Sequence, residues 1–213
     1  YLNAVGKQEL VTGAGNPVNW ADPGKLAYVV NENSTYTLKT LTETLYTSGE
    51  RIDDLTPVGN NLYFTVGGDQ LLVYTMSDSS DHNVQDLGSG ETFTEMVNVS
   101  GKLFYVVDPG ASDMLYTHDP SNVGNAPTEV KTLSGTASKL TAIGDEVFFS
   151  LGTVRGTQLW TSDGTPTNTV RISAEGTTDA VLDPNNFVVF SGDLYFVAQG
   201  DSTVPVIWKS EDE

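Results

Sequence analysis

A single pattern recurs five times along these 213 residues, and that repetition limits the fold more than any other feature. Each copy opens with a turn pair: Gly24-Lys25, Asn60-Asn61, Gly101-Lys102, Gly144-Asp145 and Gly192-Asp193. Such pairs tolerate the positive φ of a two-residue hairpin. An apolar run follows, beginning at Leu26, Leu62, Leu103, Val147 and Leu194, at spacings of 36, 41, 44 and 47. The next run carries Leu38, Tyr74, Tyr116, Trp160 and Trp208, at spacings of 36, 42, 44 and 48. The two ladders lengthen in step, so they belong to one repeated unit.

Two further short runs complete the unit. Val18 to Trp20, Leu55 to Val58, Met96 to Val99, Leu140 to Ile143 and Phe187 to Phe190 precede the turn pairs. Thr44 to Thr47, Val84 to Leu87, Glu129 to Leu133 and Thr169 to Ser173 close the first four copies. Four antiparallel strands in a unit of about 40 residues make the blade of a β-propeller. The expected fold is therefore all-β: a single domain over 1–213, with five four-stranded blades near 16–50, 51–90, 91–135, 136–176 and 177–213. The fifth copy has no room for its last strand, and Gln8 to Gly13 has the missing form. The reading is a closing strand over 7–13 that completes the last blade from the N-terminus and removes the ring's free edges.

Composition agrees. Threonine occurs 26 times, and its β-branched side chain favours strands over helices. Ten basic residues stand against 28 acidic ones, for a formal charge of −18. That charge opposes binding to nucleic acid or anionic lipid and keeps a strand-rich chain soluble. No cysteine is present, which removes disulfides and thiolate chemistry. No run of 18 apolar residues exists. The chain begins at Tyr1, as expected of a processed or excised product.

Gln158-Leu159-Trp160-Thr161-Ser162-Asp163-Gly164-Thr165, followed by Thr169 and an apolar strand, resembles the ELWxxDGT repeat of bacterial secreted and surface proteins over residues 158–172. Gln158 stands for the Glu, and Asn168 for the usual Gly. The likeness fades at Val206-Ile207-Trp208, at Met114-Leu115-Tyr116 with Asp119, and at Val73-Tyr74 with Asp78. It implies a propeller-like repeat in a secreted or surface protein and supplies no catalytic residue. Tyr74, Tyr116, Trp160 and Trp208 are expected to pack between blades, while Asp163-Gly164 is a turn signal.

Other chemistry is sparse. His82 and His118 stand alone and are read as surface loop residues. No G-x-S-x-G occurs for a serine hydrolase. A glycosidase needs two carboxylates, and the inner strands offer only Asp54 and Glu95 at their starts, with Asp22 just past another. Asp78 with Asp81, and Asp108 with Asp113, are the best calcium candidates, though neither pair has EF-hand spacing. Asn33 and Asn98 head N-glycosylation sequons; Asn33 is expected in an exposed loop and Asn98 inside a strand. Trp20 is read as a channel plug before a sugar-stacking platform.

These features lead to a non-catalytic extracellular or cell-surface interaction module for adhesion, surface-layer or filament assembly, with no resident cofactor. Its partners are other proteins or further copies, joined by exchange of the N-terminal strand. A carbohydrate-binding, lectin-like propeller is the alternative, and a glycan-cleaving enzyme ranks third.

Overall fold

The computed structural model describes residues 17–20, 25–77, 79–173, 181–199 and 204–210. Nineteen strands among these residues form five antiparallel sheets that follow one another along the chain. Sheet one holds β1 (Val18–Trp20), β2 (Lys25–Glu32), β3 (Thr35–Lys39) and β4 (Thr44–Ser48). Sheet two holds β5 (Ile52–Val58), β6 (Asn61–Val66), β7 (Gln70–Thr75) and β8 (Ser80–Asp86). Sheet three holds β9 (Thr92–Val99), β10 (Lys102–Asp108), β11 (Met114–His118) and β12 (Thr128–Thr132). Sheet four holds β13 (Thr136–Ile143), β14 (Glu146–Thr153), β15 (Gly156–Ser162) and β16 (Val170–Arg171). Sheet five holds β17 (Asn185–Phe190), β18 (Asp193–Gln199) and β19 (Pro205–Lys209). The predicted closing strand, 7–13, lies outside the described residues.

Each sheet is a meander in chain order, and no strand ladder joins one sheet to the next. The sheets are held face to face by side chains. Residues on the second strands alternate between the two neighbouring sheets, as the period of two requires. Leu62 and Phe64 pack toward sheet one, while Tyr63 packs toward sheet three. Phe104 and Val106 join sheet four, while Leu103, Tyr105 and Val107 join sheet two. Four apolar clusters result, one at each seam from sheet one to sheet five. The central strands therefore read as nearly continuous apolar runs, because both faces are buried.

Tyr74, Tyr116, Trp160 and Trp208 each pack at the seam with the preceding sheet. Tyr116 stacks on Tyr105 with ring centroids 5.4 Å apart. The turn pairs are partly shifted. In sheets three and five the turn residues are Ser100-Gly101 and Ser191-Gly192, one earlier than the spacing predicts, and all four have positive φ. In sheet two the turn is Gly59-Asn60. Asn61, Lys102 and Asp193 are thereby the first residues of their strands.

His118 is not a surface residue. It is 2% exposed at the end of β11, and its Nδ1 lies 2.7 Å from the Tyr63 hydroxyl across the seam between sheets two and three. Its Nε2 lies 3.0 Å from the Asn125 carbonyl. A carbonyl only accepts, so Nε2 carries the hydrogen and Nδ1 accepts from Tyr63. Burial lowers the imidazole pKa below its ordinary value.

Candidate functional site

The first strands of successive sheets touch one another and so line the axis about which the sheets are arranged. Three of them carry the same irregularity. Two residues, Asp54-Leu55, Lys139-Leu140 or Asn186-Phe187, oppose one residue of the next strand. This is a β-bulge. The first residue of each pair is in the left-handed region, with φ of 54°, 61° and 55°. The second, Leu55, Leu140 or Phe187, turns into the seam and packs on its cluster. The bulge thus leaves a polar side chain exposed near the start of each of these strands while its neighbour is half-buried against the cluster. The Thr56 and Thr141 hydroxyls donate to the bulge carbonyls of Asp54 and Lys139 at 3.2 and 3.0 Å. Glu95, near the same end of β9, accepts from the Lys139 amide at 3.1 Å and ties sheet three to sheet four.

Asp54 is the carboxylic acid among the three bulge residues, beside Lys139 and Asn186. Its side chain reaches solvent, yet surrounding protein atoms desolvate the carboxyl and raise its pKa above the ordinary value. The Thr65 hydroxyl donates to Oδ2 at 3.0 Å and partly offsets the rise, while the neighbouring Asp53 charge adds to it. Arg51 is ion-paired with Asp53 at 2.7 Å. A non-glycine residue held at positive φ costs roughly 1–3 kcal/mol and concentrates at functional positions.

A second feature opens at the rim of sheet four. A cleft of about 410 Å³ is lined by Ser134, Thr153, Arg155, Gln158, Trp160 and Arg171, with Val154 at its lip. Thr136 pairs with Gly152, so the strand crossing from sheet three enters beside the β14–β15 turn. That geometry brings Ser134 next to Thr153 and Arg155.

The other candidate residues have structural work. Asp163 Oδ1 accepts from the Thr165 amide and hydroxyl at 2.8 and 2.7 Å, and Oδ2 accepts from Asn168 Nδ2 at 2.6 Å. The Asn168 bond, followed by those from Thr165, lowers the Asp163 pKa. Gly164 has φ 91°, which the turn requires. Of the calcium candidates, Asp113 is buried and accepts from the Ala137 amide at 2.7 Å, fastening sheet three to sheet four. Asp108 accepts from the Gly110 amide at 2.6 Å, Asp81 is exposed on β8, and Asp78 lies outside the described residues. Among the described residues no three His, Asp or Glu gather as a metal site. Asn33 is exposed in the β2–β3 turn. Asn98 donates to the Pro57 carbonyl and accepts from the Gly101 amide, both at 3.0 Å, so its amide is already used. Trp20 ends β1, and its side chain lies outside the described residues, as does Asp22.

No family model matches this chain, and no curated protein matches it. Solved structures do. A prolyl endopeptidase, from a study of inter-domain dynamics in catalysis and specificity, superposes with TM-score 0.62 at 13% identity, over 92% of this chain and 35% of that one. The β-propeller domain of the Trilobed protease from Pyrococcus furiosus, described as having an open velcro topology, gives 0.58 at 10% identity, over 94% and 68%. Oligogalacturonate lyase from Vibrio parahaemolyticus gives 0.60 at 14% identity, over 98% and 69%. The chain spans about a third of the length of the prolyl endopeptidase. These matches correct the expectation of a non-catalytic module for adhesion or assembly, and with it the expectation that the chain is not an enzyme. The propellers it resembles belong mostly to peptidases and a lyase. Linear motifs were a poor guide because a propeller gathers side chains from strands about 40 residues apart. At this level of identity the likeness concerns the fold: the chain is an all-β protein of antiparallel, mostly four-stranded sheets with the architecture of a β-propeller.

Proposed function

We propose that this chain is the propeller of a polysaccharide-cleaving enzyme, with Asp54 as its proton donor. The observation that carries the reading is Asp54 itself: a solvent-accessible carboxyl with a raised pKa, fixed on a bulge, beside the Asp53–Arg51 pair. A carboxylic acid that keeps its proton longer than usual suits protonation of a glycosidic oxygen as it leaves. Asp53 places negative charge beside Asp54 and favours its protonated form. The likeness to oligogalacturonate lyase supports a glycan as the polymer. The five sheets then close as a five-bladed ring, with residues 7–13 as the fourth strand of sheet five.

The test is release of reducing ends or unsaturated products from neutral and uronic polysaccharides. Asp54→Asn is expected to lower the rate roughly 100-fold or more, the scale of general acid catalysis, with an unchanged thermal midpoint. The wild-type rate is expected to fall as pH rises through the raised Asp54 pKa, because the donor form is lost. A wild-type chain inert toward every polysaccharide, or an Asp54→Asn variant at full rate, rejects the reading. A second reading, a peptidase propeller, is favoured by the match to a third of a prolyl endopeptidase. Cleavage of prolyl peptides at the same rate by wild type and Asp54→Asn selects it.

A further inference from the structure

We infer that Thr65 is a positioning residue for Asp54: its buried hydroxyl holds carboxyl oxygen Oδ2 in both protonation states, so that Oδ1 is the oxygen that carries and delivers the proton. The inference rests on the reading of Asp54 as a proton donor and names what orients it, but its main readouts are taken without turnover.

The argument begins with the chain around the carboxyl. Asp54 belongs to the extra pair of residues between the Asp53–Thr65 and Thr56–Tyr63 partners of β5 and β6. Its backbone is held at φ 54°, and the Thr56 hydroxyl donates to its carbonyl at 3.2 Å. The side chain is exposed, and rotation about χ1 and χ2 would let it present either oxygen outward. Thr65 removes that freedom. It lies two residues along β6 from Tyr63 and so shares the face that packs toward sheet three. It is 1% exposed. Its Oγ1 donates to Asp54 Oδ2 at 3.0 Å, the one hydrogen bond to this carboxyl among the described residues.

The buried hydroxyl depends on this bond more than the exposed carboxyl does. Turned away from Oδ2, the Thr65 hydrogen would be buried without an acceptor, a state that folded proteins avoid. The hydroxyl therefore keeps donating whether Asp54 is ionised or protonated. A protonated carboxyl has one O–H and one carbonyl oxygen. With Oδ2 accepting from Thr65, the acid hydrogen belongs on Oδ1, which no described residue bonds. The same bond favours the ionised form and offsets part of the desolvation that raises the Asp54 pKa. Thr65 thus points the acid and keeps it able to release its proton. The charges acting on Asp54 are Asp53, which raises its pKa, and Arg51, which lowers it. The strands packed against β5 carry Lys25 and Glu32 on β2, Lys39 on β3 and Glu95 on β9. All of these stay in place in Thr65 variants, so a difference between variants reports the hydroxyl.

The test compares Thr65→Val, which removes the hydroxyl at nearly constant volume, with Thr65→Ser, which keeps it. Asp54 is followed in the full chain by carbon-13 carboxyl titration and by the infrared carbonyl stretch of its protonated form, each assigned by difference from Asp54→Asn. Thr65→Val is expected to move the titration to higher pH and the stretch to higher frequency, because the donor to Oδ2 is gone. On polysaccharide its kcat is expected to fall about tenfold with KM nearly unchanged, and the loss of rate with rising pH moves with the titration. Thr65→Ser is expected to recover the titration, the stretch and most of kcat. If the valine variant does not fold, Thr65→Ala takes its place. An Asp54 titration and stretch unmoved by loss of the hydroxyl, a valine variant with wild-type kcat, or a serine variant that behaves as valine does would each overturn the inference. A wild type inert toward every polysaccharide rejects the proton-donor reading instead, and the titration and stretch then decide the hold of Thr65 on Asp54 by themselves.

Discussion

At the scale of single residues, the seam between sheets two and three turns on one proton. Tyr63 and His118 are both buried, and the hydrogen bond between them crosses that seam. Tyr63→Phe leaves His118 Nδ1 buried and unpaired, which costs about 1–3 kcal/mol; urea denaturation at pH 7.5 measures it. The pH dependence has a definite sign. Burial lowers the His118 pKa, so the unfolded chain takes up a proton near the ordinary value of 6.5 while the folded chain does not. Stability from this group is fully present above that value and is lost as pH falls toward the lower folded pKa. The denaturation midpoint is expected to drop between pH 7 and 5.5 in wild type. It should drop less in His118→Gln. Equal slopes would show that His118 does not control that window. Asp113 and Asp54, whose pKa values are raised by burial, act with the opposite sign from about 3.8 upward, and the difference between variants removes them.

At the scale of strands and loops, the second strands of sheets two, three and four were legible because both of their faces are buried, giving apolar runs such as Leu103 to Val107. The first strands were legible only near their turns. Asp54, Thr94, Lys139 and Asn186 look like loop residues in sequence, and the bulges that extend these strands past them have no periodic signal. Asp54 was therefore visible as an acid near a strand start, but not as an accessible carboxyl with a pKa raised by desolvation, since that depends on packing between sheets. The Trp160–Arg171 pairing behind the cleft was equally hidden, because it crosses a loop whose length fixes register. The loop itself could be read from the Asp163-Gly164-Thr165 turn signal. Gly164 has φ 91°, and a Cβ there would stand 3.0 Å from Phe104 Cζ on sheet three. Gly164→Ala is expected to cost about 1–3 kcal/mol from backbone strain, with further loss if Phe104 cannot shift. Thermal denaturation checks it, and an unchanged midpoint would remove the loop from the account of the seam.

At the scale of the whole molecule, the four seams are alike and the fifth is the question. Sheet five has three described strands, and six of the exposed large apolar residues belong to it or its connection: Val188, Val189, Phe190, Val204, Val206 and Ile207. Ile207 is 78% exposed, whereas the corresponding Val73 in sheet two is fully buried. Apolar area left in water at one end of a repeat array is unfavourable at about 25 cal/mol per Å², and an edge of β19 left unpaired would be a site for pairing with another chain; among the described residues β19 pairs only with β18. A strand supplied by residues 7–13 would pair that edge, and closure on sheet one would cover the face. Removal of residues 1–13 tests this directly. The expected result is a lower thermal midpoint, dye binding to the uncovered apolar face, and self-association that grows with concentration. Adding back a peptide of residues 7–13 should reverse all three, because the missing strand is then restored in trans. If the shortened chain stays monomeric, binds no dye and melts as the full chain does, the N-terminal segment closes nothing, and sheet five must be finished by some other edge.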